Sequence, residues 1–390
     1  MGYPICTLGV PAMDHCAQTL PDLPESPPPE PGRLASPNRT SPMDNAPDHP
    51  PFFIVGHGRS GTTLVRTMLA AHSCLAVPPE THYLKWIDAF GAKQTESPAD
   101  FDSFWTELCQ RVQFRDLGVD PERVLALADA TGGRTFRGIF EAMLGAYAET
   151  EHKARAGEKT PGHYFYLDRI FRWWPDARII VVRRDPRATI ASHLKAPWVT
   201  QQLAQREPGT PLMQRYRLYH VAHHAKLWER AYGRYLAPTD DPRFHVVSYE
   251  DLVAEPAARI AEVASFLGEP FEPGMVERRE ALGGAAPETR RPEWQGWMRE
   301  HEERSRAAVS TESLNKWRSA LSPREISVIE AICGRTMERF GYTPDNPPLR
   351  RVYPGLLGLG ALRASGLQRR TRGGVAWLRR RLGLDQPHAS

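Results

Sequence analysis

The stretch Phe52-Phe53-Ile54-Val55-Gly56-His57-Gly58-Arg59-Ser60-Gly61-Thr62-Thr63-Leu64-Val65-Arg66 decides the fold class. Its first four residues are apolar and stop abruptly at a glycine, the pattern of a short buried strand. Leu64 to Ala71 reads as helix, so the residues between form a strand-to-helix loop. Gly56 and Gly61 bracket that loop at the spacing at which backbone amides and a helix N-terminus surround a phosphate. Two departures from the ATP-binding form matter. Thr62 stands where the lysine that reaches the β and γ phosphates would be, and the cation, Arg59, lies inside the loop. Triphosphate hydrolysis is therefore disfavoured.

Working outward, the same strand, turn and helix unit recurs. Arg178-Ile179-Ile180-Val181-Val182 is a second apolar run, followed by Arg183-Arg184-Asp185-Pro186 and a helical Ala188 to Leu194. A third run, Phe244 to Val247, leads into Ser248-Tyr249-Glu250-Asp251-Leu252 and a helix around Arg259 to Leu267. Strands separated by helices imply an α/β, three-layer P-loop-type fold with a central, mainly parallel sheet flanked by helices. Apolar residues at helical spacing, among them Phe136, Ile139, Phe140, Met143, Leu144 and Tyr147, predict two or three helices over 101–150. Residues 283–312 read as a polar surface loop, and a last helix is expected over Pro323 to Phe340.

Composition places the ends. Twelve of the 36 prolines fall in residues 1–50, which read as a disordered arm; the domain is expected over 51–345. The 346–390 tail is basic: residues 350–390 hold nine arginines against Asp385, so the net charge of +4 leaves the rest of the chain slightly acidic. A nucleic-acid binder with charge spread over its body is disfavoured, while the tail suits peripheral contact with anionic lipid. The chain shows neither a transmembrane run nor a signal-peptide pattern. Cys6, Cys16, Cys74, Cys109 and Cys333 are scattered and odd in number, which fits free thiols in the cytoplasm and no structural metal.

Arg59-Ser60-Gly61-Thr62-Thr63-Leu64 after a strand resembles the 5′-phosphosulfate loop of the sulfotransferases that use 3′-phosphoadenosine 5′-phosphosulfate (PAPS). The resemblance spans roughly residues 52–342. It implies that Arg59, Ser60, Gly61, Thr62 and Thr63 hold the 5′ phosphate and sulfonyl oxygens. Arg184 and Ser192, eight apart, match the family's 3′-phosphate pair, in which a guanidinium forks onto the phosphate and a hydroxyl donates to a third oxygen. Tyr249, in Tyr249-Glu250-Asp251-Leu252, is similar to a tyrosine that approaches the nucleotide. Lys316, in Ser313-Leu314-Asn315-Lys316-Trp317, resembles a phosphate-contacting lysine of the tyrosylprotein branch.

Transfer to a hydroxyl needs a base for the acceptor proton and cations for the charge that grows on the bridging oxygen. Arg59 is one cation. Lys159, in Gly157-Glu158-Lys159-Thr160-Pro161 and 25 residues before Arg184, has the position of the family's catalytic lysine. Pro161 stands where cytosolic members have their histidine base. Glu80, in Pro78-Pro79-Glu80-Thr81-His82, resembles the glutamate of the tyrosylprotein and several bacterial branches, which implies it as the base, with His163 second and His82 third. His82 replaces the arginine of the tyrosylprotein branch, so a peptide acceptor is not implied. His220, His223 and His224 read as a core or substrate-facing helix rather than metal ligands.

The resemblance implies sulfonate transfer from PAPS, leaving 3′-phosphoadenosine 5′-phosphate (PAP), to a hydroxyl of a small molecule, lipid or glycan, with no metal. The alternatives are a P-loop kinase or NTPase and a catalytically inactive nucleotide-binding partner protein.

Overall fold

Four consecutive fully buried residues, Phe52–Val55, form β1 at the centre of the sheet. The computed structural model describes residues 51–205, 209–237, 240–277, 311 and 314–346. The arm expected over 1–50, the loop over 283–312 apart from Thr311, and the tail beyond Asn346 lie outside these residues, except that Pro50 adjoins them.

The order is β1, α1 (Thr62–Ala70), β2 (Leu75–Ala76), α2 (Tyr83–Trp86), α3 (Phe101–Gln110), α4 (Val112–Arg115), α5 (Pro121–Ala130), α6 (Phe136–Thr150) and β3 (Arg155–Lys159). There follow α7 (Leu167–Trp173), β4 (Arg178–Arg183), α8 (Pro186–Leu194), α9 (Pro197–Ala204), α10 (Pro211–Arg230), β5 (Phe244–Ser248), α11 (Tyr249–Ala254) and α12 (Pro256–Leu267). The final long helix, Pro323–Arg339, opens on a capping box between Ser322 and Glu325. Segment 101–150 holds four helices where two or three were expected, because Arg111 takes an extended conformation between α3 and α4.

All five strands are parallel, in the order β2-β3-β1-β4-β5. Side chains alternate across the sheet and divide the core in two. Phe53, Val55, Ile179 and Val181 pack on the face covered by α6, α8 and α10. Phe52, Ile54, Ile180 and Val182 pack on the face covered by α1 and α12. Helices on both faces of a parallel sheet complete the three layers read from the sequence.

The sequence revealed neither the two-residue β2 nor β3. Strand β3 is hidden by its polarity. Its residues, Arg-Ala-Gly-Glu-Lys, are mostly polar, yet all but Ala156 are buried. Arg155 bonds the Leu267 carbonyl and pairs with Glu269 at 3.2 Å, with its guanidinium 5.3 Å from the Phe52 ring centroid. Gly157 leaves room for that ring: a Cβ there would stand 2.1 Å from Phe52 Cε2. Phe52 is fully buried and cannot retreat. Gly157→Ala is thus expected to destabilise the protein by about 3 kcal/mol or more through overpacking, lowering Tm by several degrees in a thermal melt. An unchanged Tm would contradict this packing of β1 on β3.

Candidate active site

A parallel sheet delivers the carboxyl ends of all its strands to one edge, where open α/β folds bind their ligands. β1 ends in the Gly56–Gly61 loop, β3 in Lys159, β4 in Arg184 and β5 in Tyr249, while Glu80 follows four residues after β2. Lys159 lies opposite Ile54 in the register, and the Gly56 amide donates to the Pro161 carbonyl at 3.1 Å. The loop and the Lys159 segment are therefore adjoining.

Two residues of the loop take positive φ. Arg59 (φ +72°) and Gly61 (φ +100°) are both left-handed, a strained state for arginine and an easy one for glycine. Tyr249 lies so close that a Cβ on Gly61 would meet its Cδ2 at 2.4 Å. Helix α1 starts at Gly61 with no side-chain cap, in contrast to α8, where Asp185 accepts from the Arg187 amide. An uncapped helix start leaves its first amides and positive dipole end available to an anion.

The segment of Arg184 and Ser192 adjoins the loop. Arg59 Nε donates to Ser192 Oγ at 3.3 Å, linking the loop to the last turn of α8. The Arg184 guanidinium carbon sits 4.1 Å from the Tyr249 ring centroid, so Tyr249 bridges Arg184 and Gly61. Ser60, Thr62 and Arg184 are buried, with Thr63 partly exposed. Lys316 is exposed, and its neighbour Trp317 is buried under the Arg187 guanidinium of α8 at 4.3 Å.

Lys159 and Glu80 meet directly. Lys159 Nζ donates to Glu80 Oε1 at 2.6 Å, and His82 Nε2 lies 3.2 Å from Glu80 Oε2. The lysine is almost buried at 4% exposure, the carboxylate open at 29%. Burial works against ionising Glu80, but Lys159 and His82 outweigh it and hold its carboxyl well below the ordinary value. Burial lowers the Lys159 ammonium, with Glu80 opposing and nearby Arg66 adding to the shift.

Behind this pair stands Glu158, fully buried. It accepts from Thr81 Oγ1 at 3.0 Å and Thr160 Oγ1 at 2.5 Å, and faces His163 Nδ1 at 2.7 Å. The His82 amide in turn donates to Thr160 Oγ1 at 3.2 Å, which fixes the 80–82 turn against β3. His163, 1% exposed, is thus part of the scaffold of the turn that carries Glu80.

Residues 50–273, more than half of the chain, match the profile described as "Sulfotransferase family". The chain belongs to the sulfotransferase family. This sulfotransferase is similar to the nodulation protein NoeE of Sinorhizobium fredii, at 26% identity over 72% of this chain and 63% of that one. It is also similar to carbohydrate sulfotransferase 3 of Mus musculus (25% identity, 43% of this chain and 34% of that one) and to protein-tyrosine sulfotransferase 1 of Danio rerio (25%, 80% and 78%). The chain thus spans less than two thirds of the length of the first two relatives.

The sulfotransferase also uses residues that sequence reasoning passed over. Tyr232 lies in a π-helical turn, Ala231–Tyr235, after α10. Its hydroxyl accepts from the His57 amide at 3.0 Å, donates to the Val182 carbonyl at 2.6 Å and lies 3.1 Å from Ser60 Oγ. One side chain therefore fastens the loop to β4. Ala-Tyr-Gly-Arg-Tyr carries no motif that could have signalled this role. Glu158 was legible only as the neighbour of Lys159.

Proposed function

We propose that this sulfotransferase moves a sulfonate from PAPS to a hydroxyl of a small-molecule, lipid or glycan acceptor by in-line transfer. The observation that carries the reading is the 2.6 Å pair of Lys159 and Glu80 at the strand edge beside an uncapped loop whose cation is Arg59. Positive groups on two adjoining segments, Arg59 with Ser192 and Arg184 with Tyr249, suit a donor with two separated phosphate groups. Sulfuryl transfer from it needs no magnesium bridge of the kind a triphosphate requires.

Each residue then has a task. The loop amides from Ser60 to Thr63 and Arg59 hold the 5′ phosphosulfate; Arg184 and Ser192 hold the 3′ phosphate, with Tyr249 packed beside them and Lys316 supplying a further cation. A sulfonate oxygen competes with Glu80 for Lys159, so donor entry loosens the ion pair. Freed in part, the Glu80 carboxylate accepts the proton of the acceptor hydroxyl, while Lys159 and Arg59 stabilise charge on the bridging oxygen. Glycan and hydroxylated small-molecule acceptors suit the likeness to a carbohydrate sulfotransferase, and His82 in place of an arginine speaks against a peptide.

The three described cysteines are free thiols, which supports a reducing, cytoplasmic setting. No helix among the described residues is long and apolar enough to cross a membrane. The arginine-rich tail adds peripheral attraction to anionic lipid.

The test is product analysis with labelled PAPS and with labelled ATP, using cell extracts as the acceptor source. PAP release matched by a mass gain of one sulfonate is the expected result; ATP turnover without sulfonate transfer overturns the reading. Arg184→Ala should weaken PAP binding about 10–100-fold, the worth of hydrogen bonds to a charged group, with little change in kcat. Calorimetric titration of PAP checks this, and unchanged affinity would remove Arg184 from the donor site.

A further inference from the structure

Beyond the transfer site, the described residues contain one group of three metal-competent side chains: His193, His220 and His224, whose ligating nitrogens, one from each ring, all lie within 4.8 Å of one another. His220 and His224 stand one turn apart on α10, so they share a face. His193 comes from the last turn of α8, one residue after Ser192. The His193 and His224 ring centroids are 3.4 Å apart at an interplanar angle of 40°.

Two imidazolium rings cannot share that spacing. A neutral imidazole offers one ring nitrogen with a lone pair, the form in which histidine ligates a metal. His224 is 9% exposed, and its Nδ1 is buried without a hydrogen-bond partner among the described residues. An aromatic core contact would be served equally by phenylalanine, without the free-energy penalty of an unsatisfied buried nitrogen.

We propose that His193, His220 and His224 form a binding site for a divalent cation of the zinc class, with a fourth position open to water or another ligand. Three imidazoles suit zinc and its neighbours, whereas magnesium and calcium require oxygen ligands that this set lacks. Tetrahedral zinc, with Zn–N of about 2.0–2.1 Å, places its nitrogens about 3.4 Å apart, so the rings of His193 and His224, whose centroids stand 3.4 Å apart, must turn away from each other to bind it. Such a cation would clamp α8 to α10 beside Ser192, the partner of Arg59. The third ligand is 27 residues upstream of His220, and only the fold brings it to the histidines of α10.

The test uses untagged full-length protein stripped with EDTA and titrated with Zn²⁺ and Co²⁺. One equivalent per chain is expected, with the intense visible Co²⁺ absorption of four-coordination and three imidazoles in the zinc X-ray absorption shell. Altering even a partner behind a metal ligand costs about 10–100-fold in affinity, so His220→Ala should lose at least about 100-fold. His152→Ala, at an exposed site, should bind as the wild type does. Absent stoichiometric binding, a shell with fewer than three imidazoles, or wild-type affinity in His220→Ala overturns the proposal. Should that variant unfold, the wild-type absorption shell decides. Because the readout is metal and not sulfonate transfer, its failure leaves the proposed reaction standing.

Discussion

Glu80→Gln is expected to lower kcat by about 10²–10⁴, the usual worth of a positioned general base, while PAP binds almost as before. The amide keeps an oxygen that can accept from Lys159 Nζ, so the turn retains its shape and only proton acceptance is lost. The pH profile gives a second reading. A base works when ionised, so activity is full above its pKa and falls as pH drops through it. Lys159 and His82 outweigh burial and depress Glu80 in the free enzyme, so the acid limb of kcat/KM should lie below the ordinary carboxylate value of 4.5. Glu80→Gln should abolish that limb. Full turnover in the variant would remove Glu80 as base. His163, 1% exposed and held by Glu158, could take the role only after leaving its buried position.

Lys159→Met is expected to cost about 10²–10³ in kcat by removing a preorganised cation from the developing charge. Methionine fills nearly the same buried volume, and Glu80, 29% exposed, keeps His82 as partner, so the fold should survive. Without the ammonium, the balance at Glu80 shifts toward burial and its pKa rises. The acid limb should therefore move to higher pH, the opposite of its loss in Glu80→Gln. Since the two groups touch, the double variant should fall well short of the summed single effects. Single effects that add fully would show that the pair does not act as a unit. Steady-state rates across pH on the three variants supply both readouts.

Legibility of the fold followed how locally each element was encoded. β1 and β4 announce themselves as apolar runs ended by Gly56 and Arg183, because a strand buried on both faces needs apolar residues throughout, while β5, an edge strand with Val246 exposed, shows as the short run from Phe244 to Val247. β3 gave no such sign. Its Arg155, Glu158 and Lys159 are buried at the expense of solvation and are stable there only through Glu269, His163 and Glu80, partners supplied by other segments. A reading by periodicity has no access to those partners.

The amino-acid sequence by itself determined that a glycine-bracketed loop with the spacing of a phosphate-binding turn joins a strand to a helix, that Thr62 rather than lysine follows Gly61, and that Arg184 and Ser192 stand eight apart. These are short-range facts, since loop geometry and helix starts depend on residues within one turn of each other. Only the tertiary structure decided that Lys159 meets Glu80 across 79 positions, that Arg59 meets Ser192 across 133, and that Tyr232 fastens the loop to β4. Those contacts arise because five parallel strands deliver their carboxyl ends to one edge, a juxtaposition set by sheet order rather than by chain distance.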